Sequence, residues 1–275
     1  MKVTQAILPI AGLGTRFFPW TKTVPKELLP LGNRPIIAHI VDECIHAGIE
    51  DICFVINKNK ELIPDYFKKD DALEEELRKR EKTDALLQLK EYDMVNFHVA
   101  YQDDQLGDGH AILQAGDWVD DMPTAILFGD DLFINGDSGL QQLLDAYEII
   151  QDPNAAIMAL EKIKPEDSPR YGIIDLDHEH SENKRIKKVK GLVEKPHPDD
   201  APSDLGIVGR YIIPRATFDL LPNIGAGHGG EIRIIDALIE QLGDTDIYGY
   251  ECEGTRIDTG TPEGYAHAVQ VFKNS

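Results

Sequence analysis

Two glycines and two cations pose the first chemical question in this chain. Gly12-Leu13-Gly14-Thr15-Arg16 follows an apolar run, and Lys26 comes soon after, behind Pro25. Gly12 and Gly14 permit backbone conformations that a Cβ forbids, and they let the chain approach a ligand closely. Successive N–H groups in such a turn form a concavity for anions. Arg16 and Lys26 add mobile positive charge. The set suits a triphosphate, whose departing pyrophosphate must be neutralised. A Gly-x-Gly after a strand is also a common turn, and on the loop alone the two accounts are equally good. The dinucleotide fingerprint G-x-G-x-x-G is not completed, because Phe17 stands in the third place, and the Walker pattern is absent.

Carboxylates are the next residues that could do chemistry. Asp130 ends the apolar stretch "AILFGDD", where it can project into the crevice at the carboxyl edge of a sheet. Its neighbour Asp131 reads as a solvated acid. Asp258 lies in "TRIDTGTP", a segment that also makes sense as a turn. Glu194 and Lys195 precede Pro196, an arrangement common in surface pairs. The histidines have no convincing metal spacing, and no Ser-His-Asp or Cys-His arrangement can be assembled.

The elements that must position these residues follow from hydrophobic pattern. "AILPIA" reads as a buried strand ending at Gly12. Ile36–Ala47 has helical spacing and closes at Gly48, and "ICFVI" is the next strand. Strand, loop, helix, strand is a βαβ unit, so the fold class is α/β: a Rossmann-like, mixed, mainly parallel central sheet flanked by helices. Residues 58–92 are highly charged with a partial stripe at Leu73, Leu77, Leu86, Leu87 and Leu89, and read as a solvated helical pair on the surface. The sheet resumes with "VNFHVA" and "AILFGDD", with a second glycine-containing loop leading into a helix near Gly109. Leu140–Ile150 is a helix and "AAIMALEKI" a strand. The carboxyl-terminal third turns to short strands, the helix "GEIRIIDALIEQL", and a closing "TRIDTGTPEGYAHAVQVF". With no repeat or linker, residues 1–275 read as one domain whose last third elaborates the site.

The bulk numbers exclude whole classes. The chain has 275 residues, 42% of them hydrophobic, enough for a substantial core, and its formal net charge is −21. Such a balance excludes nucleic acid and anionic membrane as partners, since both need a basic face. No apolar run approaches the ~20 residues that span a bilayer, and the N-terminus lacks a signal-peptide pattern. Cys44, Cys53 and Cys252 read as free thiols, which points to the cytoplasm.

The wider stretch "AGLGTRFFPWTKTVPKELLPLGNRPII" resembles the signature of the sugar-phosphate nucleotidylyltransferases: G-x-G-T-R, a spaced Pro, then Pro-Lys. Ala11 and the Pro-Lys-Glu at 25–27 look like the bacterial UTP–glucose-1-phosphate uridylyltransferases. The resemblance continues along most of the chain, through Gln102, Gly107 and "GHA" at 109–111, "FGDD", "YG" at 171–172, "EKP" at 194–196, "VGRY" at 208–211 and "GGEIRIIDA" at 229–237. It implies nucleotide binding by Ala11, Gly12, Gly14, Glu27, Gln102 and Gly107, and sugar binding by Gly172, Glu194 and Gly209. It implies catalytic charge from Arg16, Lys26 and Lys195, and Mg²⁺ held by Asp130 and Asp258. The implied reaction joins UTP and glucose 1-phosphate into UDP-glucose and pyrophosphate, in a homo-oligomer, either dimer or tetramer.

The ending "DTGTPEGY" departs from the uridylyltransferase pattern and looks more like thymidylyltransferases and the general superfamily form. That leaves dTTP as a rival substrate, since one methyl group in a pocket is worth only ~1–3 kcal/mol. A non-catalytic nucleotide-sugar regulator is a further alternative, set back because Arg16, Lys26, Asp130, Lys195 and Asp258 are all present, where a pseudoenzyme would be expected to have lost one.

Overall fold

A computed structural model describes residues 2–227 and 230–273. In chain order it runs β1 (Gln5–Pro9), β2 (Pro30–Leu31), β3 (Arg34–Pro35), α1 (Ile36–His46), β4 (Asp51–Ile56), α2 (Leu62–Phe67), α3 (Asp71–Lys79), α4 (Thr83–Leu89) and β5 (Asn96–Tyr101). It continues with α5 (Asp108–Leu113), β6 (Thr124–Leu127), β7 (Asp131–Ile134), α6 (Gly139–Ile150), β8 (Ala156–Lys162), β9 (Gly172–Glu179) and β10 (Ile186–Glu194). The rest is β11 (Leu205–Ile213), α7 (Arg215–Leu220), α8 (Ile234–Gln241), β12 (Ile247–Glu251), β13 (Thr255–Asp258) and α9 (Pro262–Lys273).

Nine strands form one mixed sheet in the order β5-β4-β1-β6-β11-β8-β12-β10-β9. The half from β5 to β6 is parallel, as the βαβ reading requires. β11 enters antiparallel between β6 and β8, and β10 antiparallel between β12 and β9. The short late strands, expected as an elaboration, thus extend the same sheet. The apolar runs of β1, β4 and β6 are buried on both faces, which explains why they read as continuous rather than alternating. On one face α1 and α6 pack Ile37, Ile40, Val41, Leu140 and Leu143 against the sheet. On the other, α5 and α8 pack Ile112, Ile234 and Leu238.

Three expectations shift. The stretch "AILFGDD" does not continue as one strand: β6 stops at Leu127, Gly129 and Asp130 make a turn, and β7 leaves the sheet to pair antiparallel with β13. Asp130 is therefore a turn residue just beyond the carboxyl end of β6. The charged excursion holds three short α-helices rather than a pair, and its Leu73, Leu87 and Leu89 stay exposed. Rings anchor it instead: Phe67 stacks on Phe54 and Phe97 with centroids 5.3 and 5.0 Å away, and Tyr92 meets Phe67 edge-on at 4.9 Å. Finally, the helix expected over "GEIRIIDALIEQL" begins only at Ile234. Its first residues are diverted because Ile232 N–H donates to Leu106 O at 2.7 Å and Ile232 O accepts from His110 N–H at 3.3 Å.

No helix among the described residues is long and apolar enough to cross a membrane. Cys44 and Cys53 are buried and Cys252 is half-buried, all three as free thiols.

Candidate active site

The glycine turn leaves β1 at the carboxyl edge of the sheet. Ala11 is buried, and its carbonyl accepts a hydrogen bond from the Asn57 side-chain amide at the end of β4. Gly12 faces open space. Gly14 has φ +65°, a left-handed conformation that favours glycine, and its carbonyl accepts from Thr21 Oγ1 and from Phe17 N–H, each at 2.9 Å. The short 3₁₀ turn Thr15–Phe17 then presents Arg16 to solvent, close enough to Asp130 to help stabilise its charge.

Lys26, Asp130 and Asp258 meet here although they are far apart in sequence. Lys26 Nζ lies 2.6 Å from Asp130 Oδ2. Thr259, at the end of β13, binds Asp130 O through both its N–H (2.7 Å) and its Oγ1 (2.8 Å), which brings Asp258 alongside. A Cβ placed on Gly260 would sit 2.7 Å from Asp130 Oδ2 and 2.9 Å from Asp258 Oδ1, so the two carboxylates close on one point. Burial alone would push the Lys26 ammonium down, but Asp130, with Glu27 and Asp258, holds it above its usual value. Burial opposes the Asp130 carboxylate as well, and Lys26 more than offsets this, keeping it below the usual range. Arg170 Nη2 stands 3.9 Å from Asp258 Oδ2.

Asp131 is no solvated acid. It is buried, with Oδ2 accepting from Gly209 N–H at 2.8 Å and Oδ1 from Arg256 Nη1 at 2.5 Å. Burial pushes its carboxyl up despite Arg256. Gly209, expected at the sugar, therefore uses its N–H to fix Asp131.

Glu27 also has another task. It is 2% exposed, and Lys60 Nζ binds its two oxygens at 2.9 and 2.8 Å and Ile10 O at 2.7 Å. This buried pair pins the segment that carries Lys26 to the end of β1. Gln102 is buried at the end of β5, its Nε2 donating to Gly107 O at 2.9 Å and lying 3.0 Å from His110 Nδ1. Gly107 has φ +110°, and a Cβ there would stand 2.4 Å from Ile232 O. The loop 103–107 is thereby folded back against 231–233. Asp108 anchors it too, accepting from Ile234 N–H at 2.8 Å; burial pushes the Asp108 carboxyl up to about 6, against the bonds from Ile234 and Gly109.

The opposite end of the site is built by β9 and β10. Glu194 pairs across from Gly172 in the ladder, and its Oε1 is 3.0 Å from Arg233 Nη1 and 3.1 Å from Lys195 Nζ. Arg233 is itself held by Asp236 at 3.0 and 2.9 Å. Lys195 adopts φ +48°, a conformation that costs a non-glycine residue about 1–2 kcal/mol and that often marks a working site. Its N–H donates to Tyr171 O at 2.9 Å, and its side chain is half exposed.

Arg16, Lys26, Asp130 and Asp258 thus converge, and Gly172, Glu194 and Lys195 form a second group. Arg170, Tyr171 and Asp258 line one cleft with Asp130 and Arg16. Lys60, Arg170, Arg233 and Arg256 were not foreseen individually. Arg233 stands inside the quoted "GGEIRIIDA", whereas nothing in sequence marked Lys60. Gly229 of that motif lies outside the described residues.

A UTP–glucose-1-phosphate uridylyltransferase of Bacillus subtilis (strain 168), YngB, is 39% identical over 264 residues, covering 96% of this chain and 87% of that protein. An apo UDP-glucose pyrophosphorylase structure superposes with TM-score 0.91 at 34% identity, and one complexed with UDP-glucose with 0.87 at 33%, each covering 99% of both chains. The family model described as nucleotidyl transferase matches residues 5–275, and the chain belongs to that family.

Proposed function

We propose that this chain transfers a uridylyl group from UTP to glucose 1-phosphate, giving UDP-glucose and pyrophosphate. The observation that carries this is the convergence of Lys26, Asp130 and Asp258 beside a glycine turn, with Lys195 and Glu194 across the cleft. The relatives described above are named for UTP and UDP-glucose, which favours uracil over thymine.

An oxygen of the sugar phosphate attacks the α-phosphorus, a new P–O bond forms, and the bond to the pyrophosphate oxygen breaks in line. The nucleophile is already an anion, so no protein base is needed. The residues must instead bring two anions together and hold them aligned. Lys195 holds the attacking phosphate. Glu194, its Oε1 tied to Arg233 and Lys195, accepts from sugar hydroxyls. Arg16 and Lys26 neutralise the triphosphate. Gln102 has its amide nitrogen engaged, and no bond among the described residues uses its Oε1, which suits it to accept from the N3–H of uracil. Asp130 and Asp258 fit a hard divalent cation, since they offer carboxylate oxygens at one point and no softer donor. Mg²⁺ bound there would offset the charge developing on the phosphates.

Pyrophosphate release with glucose 1-phosphate and Mg²⁺, run in parallel against UTP, dTTP, CTP, ATP and GTP, tests the reading. UTP should be used well above the purines, and equal turnover of ATP and UTP would refute it. Turnover of dTTP matching UTP would reassign the base. Lys195→Ala should lower turnover and raise the apparent KM for glucose 1-phosphate, as expected for a charge-assisted bond of about 1.5–3 kcal/mol. Unchanged kinetics in folded protein would make Glu194 and Lys195 a surface pair.

A further inference from the structure

Arg256 stands two residues before Asp258 on β13, with its side chain 9% exposed. Its planar guanidinium is shared among three elements. Nε donates to Glu161 Oε2 at 2.7 Å, Nη1 to Asp131 Oδ1 at 2.5 Å, and Nη2 to Tyr171 Oη at 2.8 Å. Each partner leads to a different part of the site. Asp131 follows Asp130 in the chain and faces Asp258 across the β7–β13 ribbon. Tyr171 precedes Gly172, and its carbonyl accepts from the N–H of Lys195. Glu161 closes β8.

We infer that Arg256 is a positioning residue that sets the spacing between the Asp130–Asp258 pair and the sugar-phosphate end at Gly172 and Lys195. The inference rests on the reaction proposed above. In-line displacement needs the nucleophile and the α-phosphorus held within a narrow range, and an error of about 1 Å can cost about a hundredfold in rate. One rigid fork bonded to both ends fixes that spacing. A lysine could not do so, because an ammonium on a flexible stem lacks the planar set of five donors. Arg256 also sits among Asp131, Glu161 and, two positions on in β13, Asp258, so it counters the mutual repulsion of these carboxylates.

The experiment uses the full chain with UTP, glucose 1-phosphate and Mg²⁺. Arg256→Lys keeps the charge and breaks the fork, whereas Tyr171→Phe removes only the hydroxyl contact. Arg256→Lys should lower kcat about tenfold or more and raise the KM for glucose 1-phosphate about fivefold, leaving the KM for UTP within about twofold. Tyr171→Phe should shift the sugar-phosphate KM in the same direction by less. Because both act through one fork, the double variant should be little worse than Arg256→Lys alone. Equilibrium binding of glucose 1-phosphate to the UTP-loaded protein in Ca²⁺, read calorimetrically, should weaken in parallel. Unaltered kinetics, equal changes in both KM values, or additive losses that follow falling thermal stability would overturn the inference. A wild-type chain that makes no UDP-glucose would instead refute the proposed reaction.

Discussion

Asp258→Asn should reduce turnover at least about a hundredfold, the loss of several kcal/mol of charge stabilisation at the transferring phosphate, and leave the fold intact. The fold should survive because the side chain's one close hydrogen bond among the described residues, Oδ1 from Gly260 N–H at 2.8 Å, can still be made by the amide oxygen. What is lost is the charge beside Asp130. The Mg²⁺ concentration for half activity should rise, and circular dichroism and thermal melting should match wild type. Asp130→Asn should act in the same direction and also leave Lys26 without its partner. Near-normal activity with an unshifted Mg²⁺ requirement in Asp258→Asn would reduce "DTGTP" to a turn, with Asp130 and the substrate phosphates as the remaining metal ligands.

The second large effect concerns stability. Glu43→Ala should destabilise the chain by about 3–5 kcal/mol, because it strands a buried guanidinium. Arg210 is fully buried. Its Nε and Nη2 reach Glu43 at 3.0 and 2.7 Å, and its remaining donors go to Phe128 O, Gly209 O and Asp131 O. Glu43 in turn accepts from Leu140 N–H at the start of α6, at 2.8 Å. The pair therefore ties α1 and α6 to β11 and to both sides of the Gly129–Asp130 turn. Urea unfolding should show a midpoint lowered by ~1–2 M. Glu43→Leu combined with Arg210→Met should recover much of that loss, since an apolar pair of similar volume removes both buried charges. A midpoint within error of wild type for Glu43→Ala would show that Arg210 finds enough partners in backbone carbonyls alone.

The legible parts of this chain were those written locally. The spacing of "AGLGTR" and "PKE", the helix at Ile36, and the buried strands β1 and β4 depend on residues near one another, and the pattern carries them. The placement of Asp130 was legible as to place but not as to structure. An apolar run before Gly-Asp-Asp looks like a strand to its end, and only the distant β13 pulls β7 out of the sheet. Glu27 illustrates a deeper limit. The resemblance assigns it to the nucleotide, yet its oxygens are held by Lys60, a residue with no local mark. Arg256 and Arg233 were hidden for the same reason. An arginine in a strand or before a helix looks like surface until its carboxylate partners, distant in sequence, are placed around it. Long-range ion pairs of this kind carry no periodicity, and so one sequence does not display them.

The contact between Lys26 and Asp130 has a consequence for ion traffic. At rest, the site already contains its own counter-ion, a tethered ammonium against the carboxylate that would otherwise draw a free cation. Such a protein does not need to keep a metal in residence between turnovers. In the proposed reaction a triphosphate would give the lysine a more highly charged partner and free the aspartate to hold a divalent ion. When pyrophosphate leaves, the lysine can return. On the proposed reading the tether would make ion uptake depend on nucleotide arrival, so that in a cell with fluctuating free Mg²⁺ the resting protein would neither sequester the ion nor face the repulsion of an uncompensated pair of acids.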